Sequence, residues 1–209
     1  MKFLTAILLI LAANTVNAQS PQSLSLNVYG GYTLPDRVRL DNYYTDIQGA
    51  FEYGGGLEYF VQRNKSIEFK YMRMESNFPL YTPGGTQINK GNDAGALNFW
   101  TIGGNNYFAR TTNQRAIPFV GFGIGLGTAS GPDGTSGAKF AWDAKIGVKL
   151  VTKSSLYVKL DAYIQSMIST FGVDFWYYPG WGGPYAVSDY AHIFQFGLGG
   201  AIGFDFRKK

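Results

Sequence analysis

His192 is the only histidine in the chain, and Ser188 and Asp189 stand just before it. Hydrolysis or acyl transfer needs a nucleophile held against a base, and an acid that orients the base. Nothing in this spacing fixes that geometry, so His192 is expected to be a polar residue at the start of a strand. The run from Gly121 to Gly127, GFGIGLG, invites a nucleotide-binding reading. It fails because Leu126 occupies the third glycine position of G-x-G-x-x-G and no helical pattern follows. GPDGTSG at 131–137 is turn chemistry. Asn64-Lys65-Ser66 matches a glycosylation sequon but falls in an expected tight turn. No cysteine is present and no metal-ligand cluster stands out. No catalytic residue, cofactor or metal is therefore expected.

The elements that would have to position any site are strands. From 140 to 165 the chain reads FAWDAKIGVKLVTKSSLYVKLDAYIQ. Its even positions are apolar on both sides of a short polar break, while Asp143, Lys145, Lys149, Lys159 and Asp161 take the odd positions. Two adjacent runs of strict period-two alternation predict a β-hairpin. At ~3.3 Å per residue and a tilt near 40°, about 11 residues rise roughly 28 Å, close to the apolar band of an outer-membrane barrel.

Six further runs alternate in the same way: 23–32, 50–62, 66–73, 96–108, 117–128 and 193–206. The run at 96–108 is the least regular, because Leu97, Phe99 and Tyr107 share one face while Trp100 and Ile102 lie on the other. Long connections at 33–49, 74–95, 129–139 and 167–192 alternate with short ones at 63–65, 109–116 and 152–154. The predicted fold is all-β, an eight-stranded antiparallel up-and-down transmembrane barrel. Its long loops would face outside the cell and its short turns the periplasm.

The start of the chain supports export. Lys2 precedes the apolar run 3–13, and Val16-Asn17-Ala18 approximates a small-x-small cleavage pattern. We expect a signal peptide at 1–18 and a barrel domain at 19–209, in a chain bound for the outer membrane of a Gram-negative envelope. Beyond the leader no run is long enough for a spanning helix, so a membrane-embedded mature chain has to be a closed barrel. Without Lys2 the balance is 17 basic to 14 acidic residues, which does not call for nucleic acid.

The face opposite the apolar one carries Glu52, Glu58, Glu68, Lys70, Asp143, Lys145, Lys149, Lys159, Asp161 and Asp205. Mixed charge in a narrow lumen predicts a paired network that fills the interior. Strand glycines at 54, 56, 121, 123, 125, 127, 197 and 199 would leave room for the long side chains. Turns at 63–65 and 152–154 predict registers that set Glu58 opposite Lys70 and Lys145 opposite Asp161. A secreted lipocalin-like barrel would turn the apolar faces inward instead. The stretch 171–190 is aromatic, and Phe175, Trp176, Tyr177, Tyr178, Trp181 and Tyr185 suggest an interfacial girdle or a binding surface for a glycan or protein.

These features together resemble the small eight-stranded outer-membrane barrels of the OmpX and OmpA-barrel type. The most specific piece is the terminal strand FQFGLGGAIGFDF, in which Phe194, Phe196, Phe204 and Phe206 look like the signal read by the barrel-assembly machinery. Arg207-Lys208-Lys209 follow, where family members end on the aromatic residue. The resemblance implies a monomer embedded among outer-membrane lipid and lipopolysaccharide, with periplasmic chaperones and the assembly machinery as partners. It implies a non-enzymatic barrel that displays its loops for structural, adhesive or binding roles. The alternatives are a narrow, porin-like channel of the OmpW kind for small or apolar solutes, and an enzyme that modifies lipid A.

Overall fold

The computed structural model describes residues 22–39, 43–90, 93–110, 114–131, 134–135, 137–152, 154–171 and 189–206. The expected signal peptide and the aromatic stretch 172–188 lie outside the described residues. Eight long strands form the wall: β1 (Leu24–Thr33), β4 (Ala50–Gln62), β5 (Lys65–Asn77), β7 (Ala94–Tyr107), β8 (Ala116–Gly131), β10 (Lys139–Val151), β11 (Leu156–Phe171) and β12 (Asp189–Phe206). Each pairs antiparallel with the next, and β1 with β12 closes the ring. Four short strands sit in the long connections: β2 (Asp36–Arg39), β3 (Tyr44–Ile47), β6 (Leu80–Tyr81) and β9 (Gly134–Thr135).

The register fixes the width of the barrel. Stepping from partner to partner leads from Leu24 through Tyr59, Ile67, Gly104, Phe122, Ala144 and Ile164 to Phe196. Phe196 accepts a hydrogen bond from the amide of Leu34, not from that of Leu24. One circuit therefore climbs about ten residues, a stagger that tilts eight strands by roughly 40° and leaves a lumen that side chains can fill.

Burial is inside out. Val28, Leu198 and Ile202 are 62%, 69% and 63% exposed, while Glu52 and Glu58 are fully buried and Lys149 and Lys159 nearly so. The lipocalin-like alternative needs the opposite arrangement and is excluded. One strand departs from the simple pattern. In β7, Trp100 and Ile102 face outward, and Leu97, Phe99 and Tyr107 are buried inside the ring. The irregular alternation read there in the sequence arises because apolar groups stand on both faces of this strand.

Both predicted hairpin registers are corrected. Glu58 lies opposite Glu68, and Lys70 opposite Gly56, because the turn is only Arg63-Asn64 and a bulge between Phe60 and Gln62 shifts the pairing. Lys149 lies opposite Lys159, and Asp161 opposite Gly147. The parity of each strand is as expected, so the same residues face inward. What differs is the partner. Like charges sit side by side along the wall because their counter-charges reach them from across the lumen.

Candidate functional site

The inward faces stack into three layers. At the waist, Lys159 on β11 bridges Glu58 on β4 at 2.7 Å and Glu68 on β5 at 3.2 Å. Lys145 on β10 also pairs with Glu68, and Lys70 on β5 with Asp143 on β10 at 2.9 Å. These bonds cross a ring narrow enough for one lysine stem to span, which is why opposite walls and not neighbouring strands carry the pairing. Glu58 also accepts from Ser66, Asn105 and Tyr107, and Tyr29 donates to Glu68. Buried carboxylates are stabilised only when such donors replace water.

Two other acids are held by neutral donors. Glu52 accepts from Thr33 at 3.1 Å, Tyr163 at 2.8 Å and Gln165 at 3.1 Å, and Asp205 accepts from Ser25 at 2.6 Å. Asp161 is half-buried and borders a void of about 20 Å³ together with Lys70 and Lys145. A second void, of about 10 Å³, touches Glu68 and Asp143. Each has room for about one water. Close packing around glycine makes this density reachable. A Cβ at Gly121 or Gly123 would press on Lys145 or Asp143.

An aromatic layer closes the short-turn end. Tyr107 packs at a tilt against both Phe60 and Phe119, with ring centres 5.5 Å apart in each pair and Ile117 beside them. Lys149 extends into this layer, with Nζ 3.7 Å from the Tyr157 ring centre and 4.5 Å from that of Phe60. The rings offset the repulsion from Lys159 on the next strand. Lys149→Met removes the cation–π contacts and the attraction to Glu58 together with that repulsion, so its stability should change by no more than about 1 kcal/mol, checked by the urea midpoint of the folded barrel. A larger loss would show that the charge itself holds this layer together.

The third layer is apolar and closes the long-loop end. Met72, Met74, Leu97, Phe99 and Met167 pack within the ring, and Val38, Ile47 and Phe78 from the connections pack onto them. β2, β3 and β6 form a small sheet over this end. Arg37 pairs with Asp46 at 2.6 Å and lies over Tyr44, which stacks on Tyr81 at 5.1 Å. Asp36 accepts from the amide of Phe194 at 3.1 Å, which ties the sheet to the rim. Partial burial raises the Asp36 carboxyl above its usual range, and the hydrogen bond that Arg37 donates to Asp46 raises its exposed guanidinium.

All ten charged residues singled out in the sequence face the lumen, and no His, Cys, Asp and Glu grouping suited to a metal occurs among the described residues. Phe194, Phe196 and Phe206 stand on the outer surface, and Phe204 is half-buried against Phe206 at 4.9 Å. The loop aromatics Phe175, Trp176, Tyr177, Tyr178, Trp181 and Tyr185 lie outside the described residues, as does Ser188; the backbone of His192 pairs with Ile168. Sequence reasoning missed the two apolar layers and the tyrosines of the waist. Their signal was inward parity: Tyr29, Phe60, Tyr107, Phe119, Tyr157 and Tyr163 all share a face with the charges.

A closed ring with charge inside and an apolar belt outside is the inverse of a soluble barrel, and solved structures of this kind match it. The outer membrane protein OprG from Pseudomonas aeruginosa superposes with a TM-score of 0.62 over 91% of this chain and 99% of OprG, at 10% identity. The chain has the fold of a small eight-stranded outer-membrane β-barrel. Neisserial surface protein A superposes over 88% of this chain and 97% of its own, with a TM-score of 0.52 and 12% identity. No protein-family model matches the barrel, and no curated protein matches its sequence.

Proposed function

We propose that the protein is a non-enzymatic outer-membrane barrel with a closed lumen, a rigid membrane-spanning base that displays its long loops at the cell surface. The single observation that supports this most strongly is the ionic waist in which Lys159 joins Glu58 and Glu68 across the ring. A solute could pass only if these bonds parted and both apolar layers moved. The outward belt of Val28, Phe51, Phe122, Ile146 and Leu198 suits the strands to a bilayer. Long connections on one side and short turns on the other support an orientation with the loops outside the cell. Binding of a glycan or protein partner would then fall to those loops, and delivery by the barrel-assembly machinery to the aromatic strand β12.

Planar-bilayer recording tests the closed lumen. The wild-type barrel is expected to show no steady conductance. Steady current that changes when Lys149 or Glu58 is substituted would overturn the reading in favour of a narrow channel. Loss of the heat-dependent gel shift would strike at the barrel itself.

A further inference from the structure

We propose that the outer face of β5, β7 and β8, at the short-turn end, binds one anionic glycerophospholipid. Its acyl chain would lie over Gly104, and its phosphate against the basic turns. The proposal rests on the orientation given above, with the short turns on the periplasmic side.

Three observations converge there. First, an open groove of about 650 Å³ runs along this face. Its row farther from the turns is Ile67, Gly104 and Phe122, register partners on adjacent strands. Ile67 and Phe122 project outward, 50% and 56% exposed, and Gly104 between them carries no side chain. A gap one residue wide between two apolar walls suits a hydrocarbon chain, and each methylene buried there adds to binding.

Second, the polar edge of the groove is one-signed. Arg63, Lys65, Arg110 and Arg115 are exposed at the ends of the strands that carry the groove and of their neighbour β4. No Asp or Glu occurs in the sequence of the connections 62–65 or 108–115. The remaining short turn and the residues after β12 carry only basic charge too, in Lys153 and in Arg207-Lys208-Lys209. The long connections differ, since 34–49 and 78–93 contain Asp36, Asp41, Asp46 and Asp93 among their charges. A cationic edge at the level of lipid phosphates attracts anionic headgroups, by about 1 kcal/mol per residue.

Third, Asn106 lines the groove beside Lys65, and its Oδ1 is buried without a hydrogen-bond partner among the described residues. A buried acceptor of this kind is costly until a donor reaches it. A hydroxyl-bearing headgroup such as that of phosphatidylglycerol supplies the donor, and its phosphate supplies the charge that Lys65 and Arg63 lack.

Native mass spectrometry of the folded barrel, titrated with phosphatidylglycerol or phosphatidylcholine of equal chain length, tests this. One retained phosphatidylglycerol is expected, with phosphatidylcholine bound roughly tenfold more weakly once the electrostatic attraction is lost. Gly104→Leu should fold, because a Cβ there meets only the Ser66 carbonyl oxygen at 3.6 Å. It should weaken retention about tenfold, the equivalent of about two unburied methylenes. Lys65→Gln should reduce the preference for phosphatidylglycerol and leave phosphatidylcholine unchanged. Equal retention of both lipids, or competition by glycerol phosphate lacking acyl chains, overturns the proposal. The gel shift of the unboiled protein is read in parallel, so a barrel that fails to form is distinguished from a formed barrel without lipid preference. Should Gly104→Leu fail to fold, the wild-type contrast and Lys65→Gln still decide.

Discussion

Lys159→Met is expected to destabilise the folded barrel by about 3–5 kcal/mol, the cost of leaving a buried charge without its counter-charge. Lys159 is 1% exposed and is the cation that joins Glu58 to Glu68. Those two carboxylates face each other on β4 and β5, so removing the lysine exposes a like-charge pair in a dry interior. Glu68 keeps its ion pair with Lys145, whereas Glu58 loses its ion pair and keeps hydrogen bonds from neutral donors. Adding Glu58→Gln to Lys159→Met should therefore recover most of the loss. Urea titration in lipid vesicles, followed by the gel shift and tryptophan fluorescence, reads both variants. A single-variant loss below about 1 kcal/mol would mean that the waist is hydrated and that the pair behaves like a surface ion pair.

The second large effect is steric. Gly125→Ala would set its Cβ inside the contact distance of the Trp100 carbonyl oxygen and 2.8 Å from the Thr101 Cα, both on the neighbouring strand. Gly54→Ala would press in the same way on the Tyr71 carbonyl oxygen and lie 2.9 Å from the Met72 sulfur. Backbone cannot rotate aside as a side chain can, so each variant should cost about 3 kcal/mol, the upper end of overpacking. The double variant should yield no heat-shifted band. Gly104→Ala is the control on the same wall, expected within about 0.5 kcal/mol of wild type because only the Ser66 carbonyl oxygen comes near, at 3.6 Å. Equal behaviour of all three would show that the strands spread freely at these positions.

The wall was legible in the sequence because each of its strands must present one face to lipid. Period-two alternation placed Glu58, Lys70, Asp143 and Lys159 inside, and alternating loop lengths ordered the strands. The registers were not legible. The rule that opposite charges sit side by side assumes a face open to water, where the adjacent strand is the only partner within reach. Inside a ring this narrow the opposite wall is also in reach, so Lys149 can stand beside Lys159 while Glu58 compensates from across. The layers above and below the waist were hidden for another reason. Phe60, Tyr107 and Phe119 sit on the charged parity, and Val38 and Ile47 come from a connection without a strong pattern.

The cross-lumen bonds also bear on how the barrel forms. Lys159 and Glu58 are 101 residues apart, and Lys70 and Asp143 are 73 apart. Among the described residues none of the lumen ion pairs lies within one hairpin, so each strand pair alone would bring charges without these partners into lipid at a cost of several kcal/mol. The charged face must stay in water until β1 meets β12. Neutralisation, closure and loss of the inner water are then one event. Partly built sheets gain little by entering the bilayer, and insertion becomes nearly all-or-none, with the final seam acting as the commitment step.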